Sequence, residues 1–222
     1  MILAATGLQR ERRIVAGPGI EAVAGGGDHR RLETLLEARA AAARGIISIG
    51  IAGGLAPGLC AGAWVLADSV LVDGQAIATD LRWTKHLAER LPEVTRGRLL
   101  GVDAIVGDVA QKAALHRATG ALAVDMESHV AARVAMRHRL PFAAARVVCD
   151  PAHRALPPAA RLGMKPDGQM DLPAVLRSLL AAPGQLPALI VTAWEAERSF
   201  RSLLRGYRRL GPDLGELVLD VP

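Results

Sequence analysis

The residues best suited to chemistry in this chain are a few carboxylates set beside glycines and apolar runs. Asp150 follows the apolar stretch from Pro141 to Val148 and precedes Pro151. A carboxyl in an apolar setting keeps its proton to higher pH and can serve as a general acid. The plainer reading is an Asp-Pro turn. Glu127, beside Met126, stands where the short run Leu122 to Val124 meets a helix-forming segment. A carboxylate there can accept both hydrogen bonds of a vicinal diol, as on ribose. Alternatively, Asp125 and Glu127 only favour the helix start. Gly50-Ile51-Ala52-Gly53-Gly54 carries little side chain. Its backbone N–H groups can approach an anion or an oxygen-rich ligand closely. A glycine turn between two strands fits the same pattern.

Positioning such groups needs a rigid frame, and the chain reads as one. Ile2 to Thr6 and Ile46 to Ile51 are continuous apolar runs, the mark of strands covered on both faces. Trp64 to Val72, Leu99 to Val106, Leu122 to Val124 and Pro141 to Val148 are further strand candidates, and Asp73-Gly74 signals a turn. Helices are expected over Leu32 to Arg44, with Gly45 as the capping glycine, and over Val109 to Thr119, Ser128 to Arg139, Leu172 to Leu180 and Ala193 to Arg209. Pro183 and Pro187 separate the last two. This alternation predicts a single-domain α/β fold over residues 1–222, a three-layer α/β/α sandwich with a mixed central sheet. In such folds ligands sit beyond the carboxyl ends of strands. Gly7 to Glu11, Gly50 to Gly54, Asp125 to Ser128 and Arg146 to Asp150 all fall at such ends. Residues 152–171, rich in proline and glycine, read as a loop or a lid near the site.

Composition narrows the function further. The 222 residues are 51% hydrophobic and 22% charged, which excludes global disorder. Two cysteines, Cys60 and Cys149, make no disulfide framework and suit a reduced, cytoplasmic compartment. The net charge of +5 is spread along the chain, and six aromatic residues are too few for a base-stacking platform. No nucleic-acid partner is expected. Ile46 to Ala67 is uncharged, but Gly53-Gly54, Pro57, Gly58 and Gly62 would break a membrane helix there. Met1 to Gly7 is apolar but short, lacks a basic start and runs into Arg10-Glu11-Arg12-Arg13, so no secretory signal is expected. Gly17-Pro18-Gly19-Ile20-Glu21-Ala22 matches a dinucleotide pattern without its strand-to-helix context. No P-loop and no HExxH motif occur, Cys149 and His153 alone make no zinc site, and no metal is expected.

Three segments in order resemble the nucleoside phosphorylase and nucleosidase superfamily. Gly50-Ile51-Ala52-Gly53-Gly54-Leu55-Ala56-Pro57 is similar to its GxAGGLxP turn, Ala123-Val124-Asp125-Met126-Glu127-Ser128 to its VEMEA, and Arg146-Val147-Val148-Cys149-Asp150-Pro151-Ala152 to its RxISDxA. The likeness covers roughly residues 1 to 155. It is nearest to the branch with 5'-methylthioadenosine/S-adenosylhomocysteine nucleosidases and hopanoid-associated phosphorylases. The continuation from Asp150 to Pro158 looks most like the hopanoid-associated group.

The resemblance implies roles. Asp150 would protonate the purine at N7 as it leaves, and Arg146 would help hold that loop. Glu127 would bind the ribose hydroxyls, with Met126 packed under the sugar. Ile105 and Val106 occupy the position whose backbone reads the purine edge. Glu11 aligns with the glutamate that activates water in nucleosidases, and Ala52 and Gly53 would line the sugar and nucleophile region. The implied substrate is adenosylhopane, a lipid-linked nucleoside, which the Ala155 to Met170 segment, including Met164, would admit. No cofactor is implied, with phosphate as a co-substrate in the phosphorolytic form. Ile51 stands where the family often has a hydroxyl, Ile105 where many members stack an aromatic, and Cys149 where they have serine. Water and phosphate both stay open as nucleophile. A generic purine nucleosidase or phosphorylase and a non-catalytic nucleoside-binding module fit the same residues. A homodimer, and peripheral contact with the inner membrane, are further expectations.

Overall fold

The buried runs of the sequence assemble into a mixed eight-stranded sheet that closes on itself. A computed structural model describes residues 1–91, 93–162, 168–169, 171–212 and 214. Strand β1 (Ile2–Thr6) lies between parallel neighbours β2 (Ile20–Ala24) and β3 (Gly45–Gly54). All five residues of β1 are buried, as a strand covered on both faces requires. Along β3, Ile46 and Ala52 face one core while Ile47 and Ile49 face the other.

Beyond β3 the sheet runs through β7 (Ala123–Asp125), β6 (Thr95–Gly101), β4 (Trp64–Val72) and β8 (Phe142–Asp150). Strand β8 pairs in parallel with β3 and antiparallel with β4, so five strands form a ring. Strand β5 (Gln75–Ala78) hangs from β4 through the Asp73-Gly74 turn, where both residues take positive φ.

Helices cover both faces. Leu32 and Leu36 of α2 (His29–Ala40) and Val130 and Val134 of α5 (Ser128–His138) fill one core. Val15 of α1 (Gln9–Val15), Trp83 and Leu87 of α3 (Leu81–Arg90), and Phe200 and Leu203 of α8 (Leu186–Leu210) fill the other. Helix α4 (Val109–Thr119) ends on Gly120 in the left-handed region. Helices α6 (Pro158–Arg161) and α7 (Leu172–Ala181) follow β8. The expected three-layer α/β fold with a mixed sheet is therefore present, and ring closure adds to it.

Several expected bounds shift. Helix α2 starts at His29 because the Asp28 side chain accepts from the Arg31 N–H, and it stops at Ala40. Gly45 is no helix cap; it opens β3, and a β-carbon there would come within 2.9 Å of the Trp83 ring. The strand expected over Leu99 to Val106 starts earlier, at Thr95, and ends at Gly101. Strand β3 does not turn at Gly53-Gly54 but continues through them, paired to Val124 and Ala123. Pro187 does not end a helix: it sits in the first turn of α8, where a missing N–H costs nothing.

Candidate active site

Four strand ends and one helix bring the candidate residues together. Glu11 enters on the first turn of α1 and is fully buried. Its Oε2 accepts from the backbone N–H groups of Gly7 and Leu8, both at 2.7 Å. Its Oε1 accepts from the N–H of Ile51 on β3, also at 2.7 Å. Glycine is required where these groups crowd. A β-carbon on Gly50 would lie 2.5 Å from Glu11 Oε1, and one on Gly7 would lie 2.8 Å from Glu127 Oε1.

The strand-to-helix junction after β7 divides its carboxylates. Asp125 serves the backbone: its Oδ1 accepts from the Glu127 and Ser128 N–H groups, and its Oδ2 from the Ser128 hydroxyl. This frees Glu127 to point toward Gly7. The fully buried Arg146 stands among them. Its guanidinium lies 3.2 Å from Asp125 and 3.3 Å from Glu127, and it donates to Ser48 Oγ. One cation thus faces three carboxylates. Burial raises the Glu11 and Glu127 pKa values despite Arg146, Glu127 to about 8, with Asp125 and Glu11 adding repulsion there. Arg146 is itself held charged, its pKa raised by Asp125, Glu127 and Glu11 against the cost of burial.

The Asp150 end is built differently. Opposite Ala52 and Gly53 the β3–β8 register slips, so that Ala52 faces Val148 and Gly53 faces Asp150. The bulge skips Cys149 and turns Asp150 toward Gly53, where a β-carbon would lie 3.3 Å from Asp150 Oδ2. Lys112 of α4 reaches the same carboxylate, with Nζ 2.6 Å from Oδ2. The ammonium also donates to the carbonyls of Asp150, Pro151 and Arg154 at 3.0–3.1 Å. Burial pushes the Asp150 carboxyl up to about 6 while Lys112 pulls it down.

The loop from Val102 to Gly107 completes the enclosure. Its Val102 N–H donates to the Asp125 carbonyl, Asp103 bonds His129 at 2.9 Å, and Val106 packs on Val124. Ile105 is part-exposed and Val106 buried. Met126 is part-buried between Asp125 and Glu127. From the other side, Gly168, in the segment expected to admit the substrate, accepts a hydrogen bond from the Gln9 N–H at the start of α1. Met164 and Met170, expected in that segment, lie outside the described residues. Among the described residues no group of three or more His, Cys, Asp or Glu could hold a metal ion.

Arg146, expected to hold the Asp150 loop, instead serves Glu127, Asp125 and Ser48. Lys112 holds Asp150, and the sequence reading gave it no role. A lone lysine in an alanine-rich helix carries no signal of burial, and its partner lies 38 residues away. Ser48 and Ser128, which bond each other and Arg146, were missed as well.

Comparison with known proteins fits this geometry. A family profile described as the phosphorylase superfamily matches residues 8–180. A search of curated proteins finds no match. Among solved structures, a 5'-methylthioadenosine/S-adenosylhomocysteine nucleosidase from S. pneumoniae with a transition-state inhibitor is similar. Its TM-score is 0.62 at 18% identity, covering 94% of this chain and 99% of that one. A nucleosidase of the same kind from Helicobacter pylori gives 0.63 at 14%, covering 93% and 97%. Futalosine hydrolase of Helicobacter pylori gives 0.61 at 16%, covering 93% and 96%. These likenesses concern the fold. The profile covers most of the sequence, including Glu11, Lys112, Glu127, Arg146 and Asp150: the chain belongs to the phosphorylase superfamily.

Proposed function

We propose that this protein cleaves the N-glycosidic bond of a 5'-substituted adenosine and releases adenine, with a lipid-linked nucleoside of the adenosylhopane type as substrate. Glycosidic cleavage is the coarser part of this reading and accords with the family. Adenine as the leaving base is supported by the names of the similar nucleosidases. The observation that carries the reading is the arrangement of acids along β3. Two buried carboxylates, Glu11 and Glu127, crowd around Gly7 and Gly50. A third, Asp150, flanks Gly53, three residues or about 10 Å further along the strand. That span suits a nucleoside with its sugar at one end and its base at the other.

The chemistry then follows from the charges. As the C1'–N9 bond breaks, the sugar becomes positive and the base negative. Asp150, with its carboxyl pushed up to about 6, gives its proton to N7 of the departing base. Glu127 accepts from the ribose hydroxyls through its carbonyl oxygen, and the charge of Glu11 favours the cationic sugar. Three of the four acceptor positions on Glu11 are taken by backbone N–H groups, leaving one on Oε1. That position takes the proton of a water whose oxygen forms the new bond to C1'. The Ile51 N–H in the glycine-rich half of β3 is already committed to Glu11, which favours water over phosphate as nucleophile. This mechanism calls on no metal or organic cofactor.

The substrate is tested by adenine release from adenosine and from 5'-alkyl adenosines of increasing chain length. The reading expects kcat/KM to rise with chain length. A preference for the smallest substrates would keep the cleavage and overturn the lipid-linked assignment.

A further inference from the structure

The last two helices carry the most apolar exposed surface of the described chain, and the active site does not use it. Helix α7 has no buried residue. Leu172, Leu176 and Leu180 stand four apart and form one stripe along it, 58–83% exposed. Across a sharp bend, Leu186, Ile190 and Trp194 repeat the same spacing on the first half of α8, 48–76% exposed. Between Leu172 and Trp194 there is one charged residue, Arg177. Water-soluble surfaces rarely show contiguous apolar patches of this kind without a partner.

We propose that the bent pair formed by α7 and the start of α8 docks the protein in the plane of an anionic lipid bilayer. Three observations favour a bilayer over another protein. First, the stripe is almost purely apolar, whereas protein interfaces mix apolar and polar surface in roughly equal parts. Second, the charge is complementary. From Leu172 to Pro212 six arginines stand against two glutamates, Glu195 and Glu197. Both glutamates are already engaged, with Arg154 and with Arg10 and Arg201. Third, Trp194 sits where the apolar stripe meets the charged half of α8, the place an indole takes at a headgroup boundary.

The element lies on the membrane and does not cross it. No single helix among the described residues is long and apolar enough to span, and the two helices are bent by 115°. Gly168, hydrogen-bonded to Gln9 beside the buried Glu11, lies four residues before α7 begins. Docking therefore holds the rim of the site against the lipid surface. The docking itself stands without the catalytic reading; delivery of a lipid-linked substrate by it rests on that reading.

Tryptophan emission provides the test. Trp64 and Trp83 are buried, and Trp194 is 76% exposed, so it reports the change of surroundings. The full chain is mixed with vesicles of phosphatidylcholine containing phosphatidylglycerol. Expected are co-flotation, a blue shift of the emission, quenching by bromine-labelled lipids, and weaker binding in high salt or without phosphatidylglycerol. The triple variant Leu180→Ser, Ile190→Ser, Trp194→Ser should bind at least tenfold more weakly while cleaving a soluble nucleoside at the wild-type rate. No flotation and no quenching in the wild type would overturn the proposal. So would a dimer in which Trp194 is buried and vesicles are ignored, which would give the surface to a second copy. Flotation of a protein that cleaves no nucleoside would uphold docking and remove the catalytic reading.

Discussion

Lys112 holds its ammonium nitrogen 2.6 Å from Oδ2 of Asp150, with both side chains buried. The pair sets two opposing influences on one proton. Burial favours the neutral carboxylic acid and the lysine favours the carboxylate, and burial prevails, leaving the carboxyl at about 6. An acid so poised is protonated in part near neutral pH and can still give its proton away.

Removing the lysine should therefore shift a pH profile. Lys112→Met takes away the positive charge that lowers the Asp150 pKa, so the carboxyl should stay protonated to higher pH. The alkaline limb of kcat/KM, placed near 6 by Asp150, is expected to move upward. Lys112→Arg should keep it near its original position. A variant that only yields less folded protein, with an unmoved limb, would show that Lys112 acts by structure alone. Breaking a buried pair typically costs about 3–5 kcal/mol, so lower stability is expected alongside.

Glu127 should make stability depend on pH in a defined direction. Its folded pKa, about 8, lies above the ordinary 4.5, through burial and the nearby Asp125 and Glu11. Its contribution is thus full below pH 4.5 and lost as pH rises through 8. Glu127→Gln removes that loss. Its Tm relative to wild type should be higher at pH 8.5 than at pH 5. A difference that is flat over this range would contradict the buried, proton-holding environment assigned to Glu127.

Gly50→Ala tests the crowding directly. The new methyl would meet Glu11 Oε1 at 2.5 Å and Arg146 Nη1 at 2.8 Å. Overpacking of this kind costs about 1–3 kcal/mol and should displace Glu11, lowering activity as well. Gly184→Ala is the control, since nothing lies within 4 Å of the added carbon. Urea denaturation of the two variants should separate them clearly.

The alternation of strands and helices was legible because the buried runs are long and the breaks between them sharp. The strand Trp64–Val72 and the helix Val109–Thr119 have the bounds their patterns imply. The helix Leu81–Arg90 escaped notice: its buried positions, Trp83, Thr84 and Leu87, include a polar residue, which blurs the apolar period. The first half of α8 escaped for another reason, since its proline looks like a break until the N-terminal turn is recognised. At the site, Glu127 and Asp150 stood out as acids at strand ends, and Glu11 through the family resemblance. The bulge that turns Asp150 inward and the lysine that meets it depend on pairing between distant segments, which local pattern does not encode.

The central claim is that Asp150 protonates a departing purine. The direct measurement is adenine release from a 5'-alkyl adenosine, with and without phosphate, by the wild type and by Asp150→Asn. Asparagine keeps the size and loses the acid, and general acid catalysis is worth about 10²–10⁴ in rate. The account predicts release by the wild type without phosphate, and a rate at least about 100-fold lower in the variant. Equal rates in the two proteins, or no release by the wild type from any purine nucleoside, would contradict it.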